Sequence, residues 1–195
     1  YTGSELTRDF TVALLDGIEI DYTVSGNTGT DAGDYELTIN GQSNFTGSKS
    51  ASWSIAKATQ SAPETPVAVN ETIKAKADGK ITGVNSDMEY KLEGASEYIA
   101  ISETEIVNLA AGTYLVRYKE NANHLAGADK QLIIADGAMI TVSFNSNEGT
   151  AVDSITCEYN QAITAPAEPT KENFVFAGWY KDAACFELWN FGNAL

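Results

Sequence analysis

The feature that most constrains this chain is a period-two alternation of apolar and polar residues, interrupted at short intervals by glycine-bearing turn pairs. Asp9-Phe-Thr-Val-Ala-Leu14, Asp21-Tyr-Thr-Val-Ser25, Tyr35-Glu-Leu-Thr-Ile39 and Ala51-Ser-Trp-Ser-Ile-Ala56 each set an apolar side chain at every second position. Successive side chains of a strand point to opposite faces, so such runs bury one face and wet the other. Between them stand Asp16-Gly17, Gly26-Asn27-Thr28-Gly29, Asn40-Gly41 and Thr46-Gly47, which supply the positive φ of tight turns. The middle of the chain repeats the logic with Met88-Glu-Tyr-Lys-Leu92, Tyr98-Ile-Ala-Ile101, Thr113-Tyr-Leu-Val-Arg-Tyr118 and Gln131-Leu-Ile-Ile134. No long stretch is helically periodic, and Glu103-Thr-Glu-Ile-Val-Asn-Leu109 admits one short helical turn at most. The sequence therefore reads as all-β, with short strands at the spacing of small sandwiches.

The 195 residues have room for one large β domain or two to three small ones. Hydrophobic residues make up 43%, which favours packed cores over wholesale disorder. The net charge is -15, and it is spread evenly. Residues 1–58 hold 3 basic against 8 acidic side chains, 59–136 hold 7 against 12, and 137–195 hold 2 against 7. A uniformly acidic surface is a solvated one that resists self-association, so a monomer is expected. It opposes nucleic-acid binding, which needs a basic stripe, and attachment to anionic membranes. No apolar run reaches the ~18 residues of a membrane span, so no membrane insertion is expected from this stretch. The opening Tyr1-Thr-Gly reads as a cut within something longer.

The four prolines fall in two pairs, Pro63/Pro66 and Pro166/Pro169. Lacking an N–H, proline marks connections and not central strands. The first pair lies in Ala58-Thr-Gln-Ser-Ala-Pro-Glu-Thr-Pro-Val67, a polar run with the composition of a semi-rigid linker. The second lies between two aromatic segments. In order, Ile140-Thr-Val-Ser-Phe-Asn-Ser-Asn-Glu-Gly149, Ala165-Pro-Ala-Glu-Pro-Thr-Lys171 and Phe174-Val-Phe-Ala-Gly-Trp-Tyr-Lys-Asp-Ala-Ala-Cys185 resemble the internalin B-repeat, or Listeria–Bacteroides repeat, family. Residues 1–58 resemble the MBG-type bacterial Ig-like modules through Tyr1-Thr-Gly-Ser4, Asp31-Ala-Gly33, Thr38-Ile-Asn-Gly41, Asn44-Phe-Thr-Gly47 and Trp53-Ser-Ile-Ala-Lys57. Residues 59–136 look like the small Ig- or fibronectin-like modules that follow in such arrays.

These resemblances imply three tandem modules, 1–58, 59–136 and 137–195, the last small and β-grasp-like. They imply an extracellular place on a bacterial cell surface or cell wall, a stalk, spacer or adhesion role, an unidentified protein or glycan ligand, and no enzyme activity. They also imply a strand before Tyr1 and another after Leu195. The alternative is a carbohydrate-binding accessory module of a secreted polysaccharide-degrading enzyme.

Candidate sites are few. A triad or zinc centre needs histidine or clustered cysteine in most of its versions, and His124 is the single histidine, set in a polar loop. Two carboxylates from an acidic surface could perform glycoside hydrolysis, but modules of this size rarely enclose the cleft. No cofactor is expected. Calcium is the better ionic candidate, at Asp31-Ala-Gly-Asp34 and Asn85-Ser-Asp87, though neither has the spacing of a dedicated calcium loop, and turn-capping is the simpler role. Exposed aromatics could stack on sugar rings. Trp53, alternating with Ala51 and Ile55, reads as core. In Phe174–Tyr180 alternation sends Phe174, Phe176 and Tyr180 to one face and Val175, Ala177 and Trp179 to the other, a central strand or a sticky exposed one. Trp179, Tyr180, Phe186, Trp189 and Phe191 form the candidate ligand-contact set. Cys157 and Cys185 either pair as a disulfide or stay as two buried thiols.

Overall fold

The computed structural model describes residues 1–13 and 17–195. Among them the chain forms fourteen strands and no helix. In chain order these are β1 (Leu6–Thr7), β2 (Tyr22–Ser25), β3 (Thr28–Gly29), β4 (Gly33–Gly41), β5 (Ser48–Ile55), β6 (Val67–Val69) and β7 (Gly79–Thr82). Then follow β8 (Met88–Leu92), β9 (Ile99–Ala100), β10 (Glu105–Leu109), β11 (Gly112–Tyr118), β12 (Lys130–Ile134), β13 (Ile140–Val142) and β14 (Ile155–Cys157). They build five small sheets, ordered β1-β3, β2-β4-β5, β10-β7-β6, β12-β11-β8-β9 and β13-β14. The all-β reading holds, as several small sheets.

Contacts divide the described residues into two compact units. One comprises Tyr1–Glu64, Asp87–Glu89 and Arg117–Lys130, the other Thr65–Ser86, Tyr90–Val116 and Gln131–Leu195. In the first unit, β2, β4 and β5 form an antiparallel meander in which Tyr35 lies opposite Trp53. Their rings stack with centroids 4.7 Å apart, the kind of cross-strand aromatic pair that pins register. Leu37 of β4 and Ile55 of β5 are buried. Residues 9–13 do not join a ladder, contrary to the strand expected at Asp9–Leu14, whose last residue lies outside the described ones, as does Asp16 of the expected Asp16-Gly17 turn. The alternation survives as burial: Phe10 and Val12 are half-buried, whereas Asp9, Thr11 and Ala13 are exposed. Phe10 turns its edge to Tyr22, 6.2 Å away.

The polar Pro63/Pro66 stretch is no free tether. Both prolines are fully buried, and Gln60 donates its amide to the carbonyls of Lys119 (3.2 Å) and Leu125 (2.8 Å). Neighbouring backbone groups are likewise paired, Ala58 N–H to the Asn123 carbonyl and Leu125 N–H to that of Ala58, each at 2.9 Å. Ala58 and Gln60, at the start of the stretch, are thus packed within the first unit, where their polar groups find partners.

The second unit holds the deepest core: Ile81, Val84, Ile101, Ile106, Leu109, Tyr114, Val116 and Ile134 are all buried. Glu105–Leu109, where the sequence admitted a helical turn, is instead the edge strand β10. Its register against β7 slips between Ile106 and Leu109, and Asn108 there is left-handed at φ 58. A bulge adds one residue to a strand, so two buried positions end three apart and mimic helical spacing. Strands β13 and β14 pair Ile140 with Cys157 and Val142 with Ile155. No helix covers them among the described residues, so the β-grasp-like expectation for the third module gives way to a two-stranded ladder extended by turns.

Candidate functional site

After β14 the chain gathers its aromatic side chains by two local devices. The first is a hairpin. Trp189 N–H donates to the Trp179 carbonyl at 2.7 Å and Lys181 N–H to that of Glu187 at 2.9 Å, with Tyr180 and Leu188 as bridge partners. Its tip winds around Asp182, whose carboxylate accepts the N–H groups of Ala184 (2.9 Å), Phe186 (3.2 Å) and Glu187 (3.0 Å). Those bonds, the one from Glu187 foremost, hold the Asp182 carboxyl below its ordinary range.

The second device is Gly178 at φ +125, where a Cβ would lie 2.8 Å from Leu188 Cδ2. Only glycine takes that conformation without strain, and it breaks the alternation of the run. Phe176 and Trp179, assigned to opposite faces by strict period two, therefore meet edge to face at 5.3 Å. Phe144, just past β13, sits 4.9 Å from Trp179 and 6.4 Å from Phe191, and Phe191 lies 6.0 Å from Trp189. These offset and edge arrangements are the ones that the charge distribution of aromatic rings favours.

Beside the cluster lies a cavity of about 630 Å³ whose walls include Phe144, Phe174, Phe176, Trp179, Tyr180 and Trp189, with Asn145, Lys171 and Asp182 among the polar groups. Lys171 is held at the Asn147 carbonyl (2.9 Å) and Glu148 carboxylate (3.0 Å), with its ammonium 4.8 Å over the Phe174 ring. The indole N–H groups of Trp179 and Trp189 are buried and have no acceptor. An unpaired buried donor loses its water without compensation, at about 1–3 kcal/mol each.

The five candidate aromatics thus separate. Trp179, Trp189 and Phe191 are half-buried in one another's company, Tyr180 is half-buried in the hairpin, and Phe186 stands 90% exposed on the loop. Phe174 and Val175 belong to no strand and are 69% and 94% exposed, so the central-strand reading fails and the exposed one stands for these two. Phe144 joins the cluster unannounced. Its signal was present as the last apolar position of the Ile140, Val142, Phe144 alternation.

Cys157 and Cys185 are free thiols. The disulfide is not formed, and the alternative of two buried thiols fails for Cys185. Cys157 points into the core from β14, while Cys185 is exposed on the Asp182-wound tip, left-handed at φ 58. Of the calcium candidates, the Asp31 carboxylate accepts the Asn123 amide at 2.9 Å, and Asp87 offers its carbonyl to Lys119 N–H at 2.8 Å. Among the described residues no three His, Cys, Asp or Glu side chains converge on a point. His124 is half-buried, edge-on to Tyr1 at 5.2 Å.

Several small sheets with no helix among the described residues, followed by an aromatic-rich C-terminal segment, define the class, an all-β protein consistent with tandem small modules. Residues 141–195 match the Listeria-Bacteroides repeat domain family, so the C-terminal segment carries this repeat. A protein of Evansella cellulosilytica named "Putative membrane protein" is 47% identical over 51 residues, which is 26% of this chain and 8% of that protein. A second, named "Putative Gly-rich membrane protein", is 47% identical over 51 residues, 6% of its length. The match thus spans less than a tenth of either relative. No solved structure matches. Among the described residues no helix is long and apolar enough to cross a membrane.

Proposed function

We propose that this chain is a non-catalytic segment of a bacterial cell-surface or secreted modular protein, serving as a spacer and as an adhesion surface. The Listeria-Bacteroides repeat at 141–195 carries the reading. The acidic surface suits a solvated, soluble spacer, and Phe174, Val175 and Phe186 offer exposed apolar side chains for lateral contact. Antibodies against the chain should label intact cells of the organism that encodes it, and mild protease treatment should strip the label. Labelling that requires permeabilised cells would sink the proposal.

One observation favours the carbohydrate-binding alternative: a cavity walled by the rings of Phe174, Trp179, Tyr180 and Trp189, on which a sugar could stack. Trp179→Ala and Trp189→Ala remove the stacking rings. Loss of glycan-array binding in these variants, with folding intact, supports that reading. Absence of binding by the unmodified chain rejects it.

A further inference from the structure

The loop between β6 and β7 is ordered by two carboxylates. Glu71 is the buried charged residue of the second unit, 5% exposed. Its Oε1 accepts Ala77 N–H at 2.8 Å and its Oε2 accepts Ala75 N–H at 3.2 Å. Both alanines are left-handed, at φ 55 and φ 66, a conformation strained for L residues. Each strained residue thus gives its N–H to the same carboxylate, and the charge-assisted bonds offset the strain. Asp78 closes the loop from its far end, accepting Thr72 N–H at 2.8 Å and the Thr72 hydroxyl at 2.5 Å.

The loop so shaped presents its backbone to the start of the C-terminal module, within the same unit. Lys74 N–H donates to the Ala138 carbonyl at 2.9 Å, and Ala138 N–H returns a bond to Thr72 at 3.3 Å, making a parallel bridge of Ile73 and Ala138. Farther along, Tyr159 N–H donates to the Lys74 carbonyl at 3.0 Å, and the Lys74 ammonium meets Glu158 at 3.0 Å. Gly137 makes the approach feasible: a Cβ there would fall 2.4 Å from Ile73 N, 2.5 Å from Thr72 C and 2.7 Å from the Glu71 carbonyl. Backbone atoms cannot swing aside as a flexible side chain can.

We propose that residues 71–78 form a rigid clasp, ordered by Glu71 and Asp78, which seats the Listeria-Bacteroides repeat on the β10-β7-β6 sheet of the same unit so that the two move as one body. A tether of free residues would make neither the paired backbone bonds nor the glycine-tight contact. Three backbone bonds at two separated places, Ala138 and Tyr159, oppose rotation about a single connecting peptide. The clasp stands whether or not the chain adheres to anything.

The test uses the full chain in a weakly aligned medium. Residual dipolar couplings of amides in β6, β7 and β10 and those in β13, β14 and the 179–189 hairpin should fit one alignment tensor. Gly137→Ala, and independently Glu71→Ala, should give two tensors while strand chemical shifts persist, with protease cleavage between 135 and 139 rising about tenfold or more. Two tensors in the unmodified chain would overturn the clasp, and that measurement decides even if a variant fails to fold. A folded Gly137→Ala that keeps one tensor and unchanged cleavage would overturn it as well.

Discussion

At the scale of single residues, the two tryptophans of the repeat are the sharpest instance of a side chain doing less than its type allows. Each ring packs, yet each indole N–H is buried without an acceptor. Removing an unpaired donor while keeping the ring should be neutral or favourable, whereas removing the ring opens a cavity. Trp189→Phe is therefore expected to leave the unfolding free energy unchanged or higher by about 1 kcal/mol. Trp189→Ala should lower it by about 3 kcal/mol, as large-to-small aromatic changes do. Urea denaturation followed by circular dichroism separates the two. Asp78 gives a second residue-scale expectation. The Thr72 hydroxyl, then the Thr72 N–H, and to a lesser degree Lys76, hold its carboxyl at about 2, against an ordinary 3.8. A depressed carboxylate pKa contributes stability that is fully present above the unfolded value and is lost as pH falls through the folded one. Asp78→Asn should thus be less stable than the unmodified chain at pH 6, with the gap narrowing between pH 3.8 and about 2. A gap that persists undiminished at pH 2 would contradict this.

Among elements, the instructive ones are those whose period misleads. In β10 the buried Ile106 and Leu109 stand three apart because a bulge intervenes, and Asn108 supplies its left-handed residue. Asn tolerates that conformation and a β-branched residue does not. Asn108→Gly should be close to neutral in unfolding free energy, while Asn108→Val should cost about 1–2 kcal/mol, measured by thermal or urea unfolding. The Phe174–Tyr180 run errs the other way. Its alternation is genuine in sequence, yet Gly178 rotates the chain and brings Phe176 and Trp179 together. Strands β2, β4, β5, β8 and β11 were plain from the alternation of residue types along them, although burial follows that alternation only in part: Ala51 and Leu92 are exposed, and β11 has no exposed position. The short β6 and β7 were not, since Val67–Val69 and Gly79–Thr82 offer too few residues for a period to show.

For the whole molecule, charge and exposed apolar surface oppose each other. Val175 and Phe186 are 94% and 90% exposed, and a net charge of -15 opposes the approach of a second copy. The charge vanishes near the isoelectric point of about 4.3. Light scattering should show a monomer at pH 7 and growing association as pH approaches 4.3, and Val175→Lys should reduce that association. Equal association of the variant would place the contact elsewhere. Thiol accessibility offers a further whole-chain check. Cys185 should react at once with a thiol reagent, and Cys157, 2% exposed, only when the fold opens. Stoichiometric labelling of both in the native state would contradict the burial of β14.

The sequence alone determined the all-β class, the acidic solvated surface and the repeat in the last third, because composition and period-two patterning are properties of local backbone geometry and of water. The order of strands within each sheet, the fate of each aromatic and the state of the two thiols were decided only by tertiary structure. Where the alternation misled, a local device was at work: the left-handed Asn108 accompanies the register shift of β10, and Gly178 at φ +125 lets Phe176 meet Trp179. A one-residue shift reverses which face a strand residue presents, and alternation carries no sign of where such a shift will fall.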